Sequence, residues 1–430
     1  MRYQSTHGRI VLSVILAATW LTSFVQAAST KPTTQPQRPP TLRPMAFDYG
    51  DPASSVNDIS FYVPPDSTKP YPMVSPSRET TNVIFMIGDG MGVAQVMLTR
   101  LRATGRAGRL HMERMPCVGL VNTCSANALV TDSAAAGTAL ACGTKTHNGM
   151  LGMKPNGDRF ISILEAAAKK GRRTGLVATS AIAHATPAAF SSHVEARKMG
   201  AAIAEQQLAN RVNVMLAGGK AEWIPQSQEE SRREDDRNLL AEAQQAGYLF
   251  VDTKEKMFAA MGDYVLGLFQ INALTTQEPE PTLAEMTQKA IQLLDEGCHR
   301  SDADKGFFLM VEGSQIDWAC HANDPHKCVR QTLLFDQAVK AALDFAMKDM
   351  NTLVIVTADH ETGGLTINGA NFRKKRINIV WTSKGHTALP VPLYAFGPGS
   401  TELCGVYDNT QIAKRIAKRW AINPFPRKLK

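Results

Sequence analysis

Past residue 25 the chain has no second long apolar run, no internal repeat, and no zinc-finger, helix-turn-helix or RNA-binding signature. Nothing after that point supplies the roughly 20 apolar residues that a spanning helix needs. Repeat architectures and specific nucleic-acid recognition are set aside in the same way. Cysteine is sparse and scattered, at 117, 124, 142, 298, 320, 328 and 404, unlike a disulfide scaffold, and an odd count leaves at least one thiol unpaired. Cys117 and Cys124 flank VGLVNT, a strand that would hold them about 23 Å apart, too far for a bond. Cys320 and Cys328 are the better candidates. GDGMG, at 88–92, lacks the third glycine of a dinucleotide fingerprint.

What is present fits an ordinary globular protein: 430 residues, 44% hydrophobic and 20% charged, enough for one large domain or two smaller ones. The start, MRYQSTHGR, is polar and basic, and IVLSVILAATWLTSFV follows, ending at VQA with Val25 and Ala27 as a small-residue cleavage site. This reads as a secretory signal peptide over 1–27, and the protein as exported, periplasmic or extracellular. An uncleaved anchor is the runner-up, disfavoured because the run is short. Residues 28–80, with STKPTTQPQRPPTLRP near their start, read as a Pro/Thr-rich linker and N-terminal extension, and 81–430 as the folded domain. Loss of Arg2 and Arg9 takes the formal charge from +8 to +6, which favours anionic substrates. The one dense basic cluster, AKRIAKRW with PRKLK, reads as a solvated C-terminal helix face.

Short apolar runs predict strands at 82–88, 118–122, 175–179, 212–219, 307–313, 351–359 and 391–397. Between them ISILEAAAKKG, LAEMTQKAIQLLDEG and LLFDQAVKAALDFAMKD carry helical periodicity, several with glycine after the last turn. Buried strands alternating with helices predict an α/β three-layer sandwich with a central, mostly parallel sheet. QSQEESRREDDRN (226–238) reads as a solvated loop or helix start, and NFRKKRIN (371–378) as an exposed loop.

Ligands of such sheets bind outside the carboxyl ends of the strands. There NVIFMIGDGMG delivers Asp89, FFLMVEG delivers Glu312, and NTLVIVTADHETGG delivers Asp359 and His360. Taken singly each has an ordinary reading, as a tight turn or a capped strand end. Together they would repel and desolvate one another unless a cation sits among them, so divalent metals are implied. A helix after Glu312 would put Asp317 and His321 of EGSQIDWACHANDP on one face at four-residue spacing, suited to one metal. His386 lies in the glycine-flanked loop WTSKGHTALP. In VTDSAAAGTAL, Ser133 stands where small residues can start a helix, facing the anion-binding end. Alone it would be only a cap.

The segments NVIFMIGDGMG, VTDSAAAGTALACGTKT, HATPAAFSSHVEAR, FFLMVEGSQIDWACHAND, VTADHETGGL and GHTALPVPLYAFGPG, from residue 82 to 399, resemble those of alkaline phosphatases in kind and order. The resemblance implies hydrolysis of phosphate monoesters to alcohol and phosphate, with Ser133 as the nucleophile that becomes phosphorylated. It implies one zinc on Asp317, His321 and His386, and a second on Asp359, His360 and Asp89 with Ser133. A third metal, usually magnesium, would sit on Asp89, Thr186 and Glu312. Arg197 would grip the phosphate, Asp132 would orient Arg197, and the protein would form a homodimer. His184 and Trp318 fall at variable positions of the family near the third metal or the phosphate. An imidazole at 184 lets zinc or cobalt compete with magnesium. The histidines at 111, 147, 193, 299 and 326 read as ordinary polar or core residues. Cys320 could approach zinc as a thiolate, but three ligands already fill that site. Two alternatives remain: a phosphodiesterase or sulfatase of the same superfamily, and an exported phosphate-binding protein without turnover.

Overall fold

The computed structural model describes residues 42, 44–51, 54–300 and 305–429. The signal-peptide expectation (1–27) lies outside them. Residues 43–430 form one compact unit, and of the separate unit 1–42 only Leu42 is described.

Among the described residues the strands are β1 (Met45–Asp48), β2 (Asn82–Gly88), β3 (Cys117–Asn122), β4 (Arg173–Ala181), β5 (Val214–Gly218), β6 (Leu249–Val251), β7 (Val265–Leu268), β8 (Phe307–Gly313), β9 (Thr352–Thr357), β10 (Glu361–Thr362), β11 (Leu365–Asn371), β12 (Arg376–Trp381), β13 (His386–Thr387), β14 (Val391–Phe396) and β15 (Gly405–Asp408). Ten of them make the central sheet, in the order β15-β3-β14-β9-β2-β8-β4-β5-β7-β6. All seven predicted strands are in it. The pairs are parallel except where β14 lies between β3 and β9, antiparallel to both. The central strands β2, β8 and β9 are buried at every residue, because helices cover both faces and leave no side for water.

The helices Val93–Thr104, Leu283–His299 and Pro325–Asp349 pack together on one face. Ser133–Cys142, Ile163–Lys169, Ala185–Ser191 and Thr410–Arg419 pack together on the other. The arrangement is the expected three-layer sandwich. Leu283–His299 begins with a capping box between Thr282 and Glu285 and buries its apolar stripe on β4 and β8. Ser133–Cys142 has no stripe and is buried all round. Its small side chains permit this: at Gly137 a Cβ would stand 3.0 Å from that of Ala189 in the neighbouring helix.

Strands β6, β7 and β15 of the central sheet were not foreseen, nor were two regions outside it. β1, in the stretch expected to be N-terminal extension, pairs antiparallel with β12, which pairs with β11 in a separate three-stranded sheet. NFRKKRIN is the exposed turn of that hairpin and the start of β12. QSQEESRREDDRN contains no helix or strand. Cys320 and Cys328, the better candidates for a bond, do come together, Sγ to Sγ 3.7 Å, as buried thiols. None of the described helices is long and apolar enough to cross a membrane.

Candidate metal centre and active site

Parallel strands bring their carboxyl ends to one edge, and register sets the spacing there. β2 lies between β8 and β9, with Ile87 opposite both Glu312 and Thr357, so Asp89, Glu312 and the turn Ala358–His360 converge within two residues of one level. Gly90 makes the turn after β2 possible: its φ is +75°, and a Cβ would lie 2.8 Å from Asp317 Cα. The helix Gln315–His321 starts directly after β8 and lays Asp317 and His321 on its inner face. His386 arrives by another route, since β13 pairs with β10 and puts it opposite Thr362.

The first cluster is Asp317, His321 and His386. His321 Nδ1 donates to the Lys384 carbonyl at 2.5 Å, and His386 Nδ1 donates to that of Thr131 at 2.8 Å. Each ring thereby presents Nε2 to the other, 3.1 Å apart, with Asp317 Oδ2 3.3 Å from that of His321. Such second-partner bonds fix a metal ligand's tautomer. The hydrogen bond to Asp317, then the Lys384 carbonyl and the Asp317 charge, push the His321 pKa up to about 9 against partial burial. Against burial, His321 and Thr362 hold Asp317 below the usual carboxylate range.

The second cluster surrounds His360 Nε2, which lies 3.2 Å from Ser133 Oγ, 3.2 Å from Asp359 Oδ2 and 3.6 Å from Asp89 Oδ1. Asp317 also faces it, in a group with Asp89 and His360. Asp317 thus stands between two clusters, where the sequence assigned it to one. Asp359 Oδ1 is engaged by the backbone N–H groups of Gly90 and His360, and its Oδ2 has no hydrogen-bond partner. The third cluster is Asp89, His184 and Glu312, with Thr186 at the start of the helix Ala185–Ser191. Thr186 Oγ1, Glu312 Oε1 and both Asp89 oxygens are buried without partners. Burial pushes Glu312 up to about 7, and burial together with the charges of Asp359, Asp317 and Glu312 raises Asp89 well above its ordinary value.

Ser133 opens its helix, and Asp132 caps it by accepting from Ala135 N at 3.0 Å. The other Asp132 oxygen accepts from Gly149 N at 3.0 Å and Arg197 Nη1 at 3.2 Å. Arg197 Nη2 donates to His184 Nε2 at 3.1 Å, and burial, then the guanidinium charge, lowers His184 to about 4, so the ring is neutral. Trp318 is 38% exposed, with its ring edge-on to His184 at 6.2 Å. Every side chain singled out for this site therefore lies in or beside it. Sequence reasoning missed Thr362, which donates to Asp317 at 2.5 Å and meets His360 Nδ1 at 3.2 Å. The period of two in His360-Glu361-Thr362 was the available signal.

A serine, an arginine and three acid-and-imidazole clusters on one sheet edge agree with what the chain resembles. The alkaline phosphatase family model matches residues 80–377. Alkaline phosphatase 4 of Bacillus subtilis is 37% identical, over 79% of this chain and 88% of that protein. The solved alkaline phosphatase of the Antarctic bacterium TAB5 is 34% identical, covers 80% of this chain and all of its own, and superposes with a TM-score of 0.72. A histidine-to-glutamate variant of it, 33% identical over 80% of this chain and 99% of its own with a TM-score of 0.71, is described with magnesium bound in the M3 site. With a site of this composition and relatives that span most of its length, the chain is a phosphatase and belongs to the alkaline phosphatase family.

Proposed function

We propose that the protein hydrolyses phosphate monoesters by transferring the phosphoryl group to Ser133 Oγ and then to water. The observation that carries this reading is the position of Ser133 Oγ, buried at a helix start and 3.2 Å from His360 Nε2, with Asp132 linking it to Arg197. The helix N-terminus favours an anion in front of Ser133. Arg197 donates to equatorial phosphate oxygens in its planar fork, and Asp132 holds that fork without itself meeting the ester. Trp318 and His184, the latter bonded to Arg197, would border the phosphate.

The donor set fits divalent ions: His321 and His386 turn their Nε2 atoms to each other beside Asp317, and both Asp89 oxygens, Glu312 Oε1 and Asp359 Oδ2 are buried without a hydrogen-bond partner. Zinc would be held by Asp317, His321 and His386, and a second zinc by Asp359, His360 and Asp89 with Ser133. Asp89, Thr186 and Glu312 would hold magnesium, and the neutral His184 ring beside Asp89 and Glu312, which adds no negative charge for a hydrated magnesium, lets zinc or cobalt compete there. Bound, these ions would neutralise the carboxylates and supply Lewis acidity towards the phosphoryl and leaving oxygens. Export and a homodimer complete the reading.

Ser133→Ala is expected to keep the fold and the metals and to retain only weak hydrolysis. Covalent phosphate trapped at acid pH should map to Ser133 in the wild type and vanish in the variant. Trapping on another residue overturns the mechanism, and preference for aryl diesters over monoesters overturns the substrate class.

A further inference from the structure

Arg197 lies between the helices Ala185–Ser191 and Gly200–Ala209, in a segment with no helix or regular strand. A phosphate-gripping fork on irregular backbone needs another source of rigidity. The segment carrying it runs antiparallel to residues 149–152. Leu151 and Val194 exchange two backbone bonds of 3.0 Å, and Arg197 N donates to the Gly149 carbonyl at 2.7 Å. Gly149 N in turn donates to the Asp132 oxygen that accepts from Arg197. The strip 149–152 therefore fixes both the backbone of Arg197 and the carboxylate that aims it.

His193 closes the other end of the strip. It is 6% exposed. Its Nδ1 lies 2.9 Å from the Gly152 carbonyl and its Nε2 2.9 and 3.1 Å from the Glu165 oxygens. Both neighbours only accept, so both ring nitrogens donate and the imidazole is charged. Glu165 is itself fixed: it completes the capping box with Ser162, and Asn210 donates to it at 3.2 Å. Gln206 brackets His193 by accepting from its N–H at 2.8 Å. Burial opposes the charge, but the Glu165 hydrogen bond and field, with the Gly152 carbonyl, outweigh it and raise the pKa of His193. Gly152 has φ +64°, and a Cβ there would stand 2.4 Å from His193 Nδ1, so the contact is close by construction.

We propose that His193, clamped between Glu165 and Gly152, is a positioning residue that holds Arg197 in place for the phosphate. It touches no reacting atom. The inference rests on the reading of Arg197 as the phosphate-gripping side chain, and the test keeps the two apart. The phosphate inhibition constant, KM for an aryl phosphate, metal content and melting temperature are compared for the wild type, Arg197→Ala, His193→Ala, His193→Gln and the double variant Arg197→Ala/His193→Ala. His193→Ala is expected to raise the inhibition constant and KM roughly three- to tenfold with metal content unchanged. His193→Gln, which keeps a donor towards Glu165, should recover part of this. In the Arg197→Ala background the second substitution should change neither constant, since the fork it positions is gone. Equal losses in both backgrounds, or a lowered melting temperature with an unchanged inhibition constant, would overturn the inference. If Arg197→Ala alone leaves phosphate inhibition unchanged, the underlying reading of Arg197 fails instead. Should His193→Ala not fold, the same cycle runs on His193→Gln.

Discussion

Asp89 and Asp336 are both fully buried aspartates, and they meet opposite surroundings. Asp336, inside the helix Pro325–Asp349, accepts from Tyr62 Oη at 2.7 Å and from the backbone N–H groups of His111 and Met112 at 2.9 Å each. Asp89 accepts nothing and faces three other carboxylates. A buried carboxylate satisfied by donors joins segments of the fold, here the stretch around Tyr62 and the turn at 111–112 to a long helix. One left unsatisfied beside its like destabilises the bare protein and is retained for what binds it. The same comparison separates the structural part of the molecule from its working edge.

The comparison breaks most visibly in activity. Asp89→Ala is expected to lower kcat by about a thousandfold or more and to reduce metal content, because the residue faces two clusters. After chelation the same variant should melt no lower than chelated wild type, since a buried carboxyl without partners has been removed. A chelated variant that is clearly less stable would mean that Asp89 supports the fold directly.

Asp336→Ala should do the reverse. Three donors lose their acceptor, which costs about 3 to 5 kcal/mol in denaturant unfolding, while metal content and kcat of the folded fraction stay as in the wild type. Loss of metal in that variant would erase the distinction.

The third effect is a pH dependence. In the metal-free protein Glu312 has its pKa pushed up to about 7 by burial. A raised acid favours its neutral form in the fold, so stability is fully present below about pH 4.5 and is lost as pH climbs to about 7. The loss amounts to up to about 3 kcal/mol. Metal-loaded protein, whose carboxylates are already ionised and matched, should show no such loss in that window. Parallel stability curves for the two forms would place Glu312 outside the metal centre.

Much of the fold was legible because a parallel strand covered on both faces must be an unbroken apolar run, and β2, β8 and β9 read that way. The polar residues ending those runs were legible for the same reason: a charge directly after a buried strand stands out. Asp317 and His321 followed from helical spacing alone. β1 and the β11–β12 hairpin did not follow, because half-exposed strands of mixed composition carry no such run. His193 read as an ordinary residue, since neither Glu165 nor Gly152 announces itself as its partner across 28 and 41 positions.

By itself, then, the sequence determined the layers, the strand ends, the small-residue helix behind Ser133 and the residue types gathered at the sheet edge. These depend on local periodicity and on the cost of burying charge, both of which a linear chain displays. The tertiary structure alone decided that Asp317 stands between two clusters, that Thr362 holds it, that Asp336 meets three donors and Asp89 none, and that Arg197 hangs on a strip closed by His193. Each of these depends on which distant donor or acceptor reaches a buried atom, and that is settled only when strands pair and helices pack.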